Sequence, residues 1–189
     1  MAAKSTLKNM VLCLTLVCLV CSAVLAIIYA ITYDPIQAAQ KKALTESIGR
    51  VLPDGGELSD ALSAEFAGQK YEYYVSTADG APAAYAVKSS TVGFGGPLTL
   101  MVGVLPDGSV YNTSVLSHSE TPGLGAKCNT DAKFMDQWKG LGPDKVIKVT
   151  EDGGDIDAIT ASTITSRAYS LAVSNAVAFV KSIAKAEEE

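Results

Sequence analysis

The longest apolar stretch of the chain lies near its N-terminus. Residues 10–32 contain no charged side chain and read MVLCLTLVCLVCSAVLAIIYAIT. At ~1.5 Å of rise per residue, a helix of this length crosses the ~30 Å hydrocarbon core of a bilayer. The competing interpretation is a cleaved signal peptide, whose apolar stretch covers about 7–15 residues before a small-x-small site. Because the pattern continues through Ile27, Ile28 and Ile31, the sequence favours an uncleaved single-pass anchor.

Basic residues flank this span on both sides. Lys4 and Lys8 precede it, whereas Lys41 and Lys42 follow it. Basic flanks favour the cytoplasmic side, but long downstream domains translocate largely regardless of charge. We therefore expect an N-terminus in the cytoplasm and a domain on the extracytoplasmic side of the cell (inner) membrane. The expected parts are a tail and anchor at residues 1–33 and one domain at residues 34–189.

Short apolar segments in the middle of the domain predict an antiparallel sheet. The turn signals Asp79-Gly80 and Pro106-Asp107-Gly108 each join two such segments, which is typical of β-hairpins. The predicted strands cover residues 71–76, 83–88, 97–105 and 109–116, and a further strand is expected at residues 146–149.

Three helices are expected around this sheet. Asp34 and Pro35 suit the N-cap and first position of a helix that ends near Arg50. A short helix is expected at residues 131–139. From Thr163 onward, apolar residues recur every three or four positions, which predicts a long helix with one buried face. The residues assigned to that face are Ile164, Ala168, Leu171, Ala172, Ala176, Phe179, Val180 and Ile183. The fold class is therefore α+β: a single N-terminal transmembrane helix followed by a small antiparallel sheet with packed helices.

Composition and charge exclude several functional classes. The formal net charge of −5 argues against a nucleic-acid-binding protein, because phosphate backbones require a basic face. His118 is the single histidine, so a two-histidine metal site is excluded. Cys128 is the one cysteine outside the span, so the domain cannot form an internal disulfide. The sequence shows neither the paired carboxylates nor the Ser-His-Asp order that would indicate a hydrolase.

A cluster of hydroxyl side chains lies where the last helix begins. Residues 155–167 read DIDAITASTITSR. The simplest explanation is capping, in which serine and threonine satisfy free backbone N–H groups. The cluster has more hydroxyls than a cap needs, and a helix N-terminus also binds anions, most often phosphate. Arg167 would add a charged donor to such a site.

Two loops contain closely spaced glycines. They cover Gly93–Pro97 and His118–Gly125. Both are explained by turn chemistry alone, since proline and glycine favour turns. Glycine also lets the backbone approach a ligand closely, so a role in binding stays open.

Together these three segments resemble the motifs of a known family. GFGGP at Gly93–Pro97, HSETPGLG at His118–Gly125 and DAITASTITS at Asp157–Ser166 are similar to those of the membrane-anchored FMN-binding domain family. The family includes G subunits of Rnf ion-translocating electron-transport complexes and C subunits of sodium-translocating NADH:quinone reductase. The single span and modest length resemble the G subunits more, with the C subunits as the alternative.

The resemblance implies an FMN that is bound covalently. In the family, a flavin transferase uses FAD to form a phosphoester between the flavin phosphate and a threonine. The family motif Asp-x-x-Ser/Thr-Gly-Ala-Thr corresponds here to Asp157, Thr160, Ala161, Ser162 and Thr163, so Thr163 is the implied attachment residue. Ala161 replaces the usual glycine and Ser162 replaces the usual alanine.

Further contacts with the flavin follow from the same resemblance. Hydroxyls for the phosphate and ribityl oxygens are expected from Thr160, Ser162, Thr165 and Ser166. The loop is expected to contribute Glu120, Thr121, Leu124 and Gly125, with His118 behind them.

The implied function is electron transfer. The chain is not expected to need acid–base residues of its own, because the cofactor carries the redox chemistry. The resemblance implies a redox-carrier subunit that does not turn over ferredoxin or NAD alone. Its partners would be other membrane subunits of the Rnf complex, membrane lipid and the flavin transferase. That complex moves electrons between ferredoxin and NAD and couples this to sodium or proton movement. The alternatives are a membrane-tethered binding module without cofactor and a different flavin-carrying reductase.

Overall fold

The computed structural model describes residues 6–187. Lys4, one of the two lysines that precede the apolar span, lies outside the described residues. The chain divides into two compact units, Met1–Ala43 and Leu44–Glu189. The second unit contains all the strands described below.

The first helix, α1, extends over Leu7–Val51. Within residues 6–187 it is the one helix long and apolar enough to cross a membrane. Its apolar side chains are exposed throughout the N-terminal half, and Tyr29 and Tyr33 follow with ring centroids 5.6 Å apart. A continuous apolar surface of this size is stable in lipid, and aromatic rings favour the membrane–water interface. The chain is therefore membrane-associated.

The expected helix start at Asp34 and Pro35 is wrong, because α1 continues through both residues. Proline lacks an N–H group, so Pro35 removes one bond, the one to the carbonyl of Ile31. The segments on both sides form helix strongly enough to tolerate this loss. Asp-Pro is thus a local signal that the flanking sequence overrides.

Six antiparallel strands form one sheet. Their bounds are β1 Glu57–Leu58, β2 Leu62–Phe66, β3 Gln69–Ala78, β4 Ala81–Val92, β5 Pro97–Val104 and β6 Val110–His118. The order is β1-β3-β4-β5-β6, and β2 also pairs with β3. Both predicted hairpins, β3–β4 and β5–β6, are confirmed. The strands β1 and β2 were not predicted, because their side chains are mostly exposed and therefore lack a clear apolar pattern.

The strand expected at residues 146–149 is also wrong. Only Val149 forms a bridge, to Ile156, and a short 3₁₀ helix follows at Thr150–Asp152. Val146 instead donates its N–H to the Asp155 carboxylate at 2.8 Å, and Asp155 donates its N–H back to the Val146 carbonyl at 3.0 Å. These two hydrogen bonds close a loop. The backbone N–H and C=O groups of residues 146–149 are therefore not arranged to pair with a neighbouring strand.

Two further helices complete the second unit. α2 covers Ala132–Asp136, which is shorter than expected, and α3 covers Thr163–Glu187 as the pattern predicts. A 3₁₀ helix at Gly125–Asn129 precedes α2. The predicted α+β class is confirmed.

The two faces of the sheet bury different helices. α3 packs across β4 and β5, and Phe179 on α3 stacks on Tyr71 with ring centroids 4.8 Å apart. On the other face, the end of α1 buries Ile48 and Val51 against the sheet. Gly103 of β5 has no room for a side chain beneath the Val51 carbonyl. Close packing on both faces thus fixes α3, and with it the hydroxyl cluster at its start.

Replacing Phe179 by alanine is expected to lower the free energy of unfolding by about 3–5 kcal/mol, because the ring is fully buried among aromatic neighbours. Denaturant titration of the detergent-solubilised chain, followed by the fluorescence of the single tryptophan, Trp138, measures this. Leu171→Ala on the same helix is the control, since its side chain is 55% exposed and should change stability by about 0.5 kcal/mol or less. Equal effects of the two substitutions would contradict the described packing.

Candidate functional site

The three sequence motifs meet around one cavity of about 280 Å³. It lies between the loop that follows β4, the loop that follows β6 and the N-terminus of α3. Seven of the nine residues expected to contact a cofactor line it: Glu120, Thr121, Leu124, Gly125, Ser162, Thr163 and Thr165. Segments that lie far apart in the sequence are thus brought together at one end of the sheet.

The other two expected residues lie elsewhere. Thr160 is exposed and is not among the lining residues. Ser166 is fully buried, and its hydroxyl donates to the Ser162 carbonyl and accepts from the Ile159 N–H at 2.9 Å. Ser166 therefore stabilises the turn that leads into α3. Cofactor contacts by these two residues stay predictions.

The N-terminus of α3 presents free donors to the cavity. The first helical hydrogen bond runs from the Ser166 N–H to the Ser162 carbonyl at 3.0 Å. The N–H groups of residues 163–165 precede it and have no carbonyl partner within the helix. Among the described residues, the buried Ser162 hydroxyl also has no hydrogen-bond partner. Free N–H groups at the positive end of a helix dipole bind phosphate well.

Ala161 adopts a left-handed backbone conformation with φ of 63°. For a residue with a Cβ this conformation costs about 1–2 kcal/mol, whereas glycine adopts it readily. The glycine that the resemblance implies for this position would adopt the conformation without strain. In this chain the turn before Thr163 is strained.

Glu120 connects all three motifs. Its side chain is 5% exposed, and its carboxylate accepts the Gly95 N–H at 3.3 Å and the Thr165 hydroxyl at 2.8 Å. A Cβ on Gly93 or on Gly125 would collide with this carboxylate. Both glycines therefore allow close approach to Glu120, beyond any role in forming a turn.

His118 lies directly behind Glu120, as expected. Its Nδ1 accepts the Glu120 N–H at 3.3 Å, and its ring does not line the cavity. The contact orients the backbone at the start of the loop and leaves the Glu120 carboxylate free to face Gly95 and Thr165.

The expectation that Arg167 adds a donor to the site is wrong. Its guanidinium donates two hydrogen bonds to Asp152, at 2.7 and 2.8 Å, and this pairing lowers the pKa of the Asp152 carboxyl. Of the residues that line the cavity, none is a lysine or an arginine. An anion in this cavity is therefore held by N–H groups and hydroxyls.

Two apolar lining residues were missed as contacts. Phe94 and Ile164 are 69% and 52% exposed and lie at the cavity. The helical pattern assigned Ile164 and Leu171 to the buried face of α3, and both assignments are wrong. The position of an aromatic residue between glycines was the signal in the sequence that could have identified Phe94.

Thr165→Val is expected to destabilise the flavin-free protein by about 1–3 kcal/mol, because it leaves one oxygen of the buried Glu120 carboxylate without a donor. Thr130→Val removes an exposed hydroxyl and is the matched control, with an expected change of about 0.5 kcal/mol or less. Denaturant titration compares the two variants. A neutral Thr165→Val would show that Glu120 does not depend on this bond.

Cys128 is expected to be inert toward thiol reagents. Burial raises the pKa of its thiol to about 11, and the nearby negative charge of Glu120 acts in the same direction, so the reactive thiolate is scarce at pH 8. Labelling with a maleimide at pH 8, in a chain with Cys13, Cys18 and Cys21 changed to serine, should occur only after denaturation. Rapid labelling of the native protein would contradict the described burial.

Several known proteins are similar to this chain. Residues 93–178 match the family model described as FMN-binding domain. The chain is 34% identical over 166 residues to the G subunit of the proton-translocating ferredoxin:NAD(+) oxidoreductase complex of Clostridium ljungdahlii, covering 87% of this chain and 86% of the relative. It is also 34% identical to the G subunit of the ion-translocating oxidoreductase complex of Shewanella oneidensis, covering 90% and 87%. The crystal structure of Shewanella oneidensis NqrC is similar with a TM-score of 0.48 and 21% identity, covering 62% of each chain.

Proposed function

Because this chain belongs to the family of G subunits of ion-translocating oxidoreductase complexes, we propose that it carries FMN as the electron-transfer subunit of such a complex. FMN supplies the redox chemistry, and the protein supplies binding, orientation and electrostatics. The matched FMN-binding domain contains all the lining residues of the cavity. The other subunits of the complex are its partners.

The cavity has the donors that an FMN phosphate needs. The free N–H groups at the start of α3 face it, and the buried hydroxyl of Ser162 has no partner in the described part of the chain. These features support a phosphate at the N-terminus of α3, where the helix dipole favours negative charge.

The covalent bond is proposed at Thr163. One observation carries this choice: among the hydroxyls of the cluster, that of Thr163 both lines the cavity and belongs to a side chain that is not buried. The hydroxyls of Thr165 and Ser166 already donate hydrogen bonds, and Ser162 is a buried residue. A flavin transferase would act on Thr163 in the folded domain.

The remaining lining residues hold the cofactor and do not react with it. Glu120 keeps the two glycine loops and α3 in place through its bonds to Gly95 and Thr165. Thr121, Leu124 and Gly125 also line the cavity.

Membrane attachment completes the proposal. α1 contacts lipid, the N-terminus is cytoplasmic and the flavin domain is extracytoplasmic. The complex moves electrons between ferredoxin and NAD and couples this movement to the translocation of sodium or protons. The Clostridium ljungdahlii relative is named as proton-translocating and acting on ferredoxin and NAD(+), which supports this substrate pair.

Co-expression with a flavin transferase tests the attachment. The parent chain should show flavin fluorescence on a denaturing gel, and Thr163→Ala should abolish it, because the phosphoester needs that hydroxyl. Thr130→Ala is the matched control: it removes an exposed hydroxyl that lies outside the motif and is not among the lining residues, and it should leave the signal unchanged. Covalent flavin that survives Thr163→Ala would move the bond to a neighbouring hydroxyl, and its absence from the parent would contradict covalent attachment altogether.

A further inference from the structure

The mouth of the cavity is apolar, although its floor is rich in hydroxyls. Three large side chains line this mouth, with Phe94 69%, Ile164 52% and Leu124 45% exposed. Each comes from a different one of the three motifs. Contiguous exposed apolar groups on a folded domain indicate a surface that another molecule covers.

Phe94 is held on a rigid turn. The Gly93 N–H donates to the Gly96 carbonyl at 2.8 Å, and the Gly95 N–H donates to the Glu120 carboxylate at 3.3 Å. A Cβ on Gly95 would collide with the Ser119 carbonyl, so the turn lies tightly against the neighbouring loop. The exposed ring is therefore presented at a defined position beside the cavity.

The size of the cavity indicates what covers this mouth. Its volume of about 280 Å³ is at the lower limit of the ~300–1,000 Å³ of pockets that enclose a whole drug-sized ligand. With its phosphate at the start of α3, an FMN attached at Thr163 would extend its ring system toward the apolar mouth. The isoalloxazine ring is planar and aromatic, and aromatic side chains bind such rings by offset stacking.

We propose that Phe94 is the stacking platform for the isoalloxazine ring of the flavin attached at Thr163, with Ile164 and Leu124 completing the apolar surface beneath it. The proposal rests on the proposed function, since it requires the flavin at Thr163. It assigns Phe94 as a positioning residue that fixes the ring outside the cavity. One ring face then lies on the protein, and the other is open to an electron-transfer partner.

Phe94→Trp tests the stacking directly. An indole in face contact with an excited flavin quenches its fluorescence by an electron transfer that reverses at once. The matched control is Val92→Trp, two residues away and 80% exposed, but not among the lining residues. Trp138 is buried and common to all variants, so it adds a constant background.

The measurement uses the full-length flavinylated chain in detergent. Native flavin emission, normalised to flavin absorbance, should fall several-fold in Phe94→Trp and stay at the parent level in Val92→Trp. Denaturation should restore equal emission in all three. Equal native emission of the two tryptophan variants would overturn the stacking, while covalent flavin in both would leave the proposed function intact. A parent chain without covalent flavin would instead overturn the proposed function.

A second variant covers the case in which the indole prevents flavinylation. Phe94→Ala removes the platform, so the native flavin should rotate more freely and its fluorescence anisotropy should fall relative to the parent. Val92→Ala should leave the anisotropy unchanged. Unchanged anisotropy in Phe94→Ala would mean that a different part of the chain holds the ring, and would overturn the proposal.

Discussion

The buried carboxylate of Glu120 is the constraint on which the site depends. A charge removed from water is destabilising by several kcal/mol unless hydrogen bonds or opposite charges compensate it. Among the described residues, the donors to this carboxylate are the N–H of Gly95 and the hydroxyl of Thr165. Thr165 lies in the first turn of α3, where the helix dipole also favours negative charge. Satisfying one carboxylate therefore requires the β4–β5 loop, the loop after β6 and the start of α3 to meet.

The sheet makes that meeting possible. β4, β5 and β6 are neighbours in the sheet, so the loop between β4 and β5 and the loop after β6 leave the sheet at the same end. α3 packs across β4 and β5, and Phe179 and its aromatic neighbours anchor the helix more than a dozen residues beyond Thr163. The core and the site thus share one rigid element. A change in the packing of α3 moves the donors at its N-terminus.

Features that depend on a repeating pattern were predictable from the sequence. The spacing of apolar residues after Thr163 identified α3 and its start, and the Asp79-Gly80 turn identified a hairpin. Local signals were less reliable: Pro35 lies inside a helix because the flanking residues outweigh it, and the apolar residues 146–149 form a loop closed by Asp155. Whether such a local signal produces the expected element depends on residues outside the signal itself.

The residues of the site were likewise predictable from motifs but not from single local signals. Hydroxyls and glycines in known motifs led to most of the lining residues, because the motif places them at the cavity. Arg167 was misassigned, since its charge suited a phosphate, but Asp152 lies within reach and binds it first. Ile164 was misassigned because apolar character was taken to mean burial. Neither the ion pair of Arg167 nor the exposure of Ile164 can be predicted from one segment of the sequence alone.

The left-handed turn at Ala161 has a consequence for how the protein matures. The ~1–2 kcal/mol cost of this conformation makes an open form of the turn about 5–30 times more populated than a glycine turn would allow. Under the proposed attachment at Thr163, a modifying enzyme would therefore find the loosened segment more often. A phosphodiester at the helix N-terminus would then stabilise the closed form, since a group that binds only the folded conformation shifts the equilibrium toward it. The strained residue would thus make this segment easier to open before the proposed modification than after it.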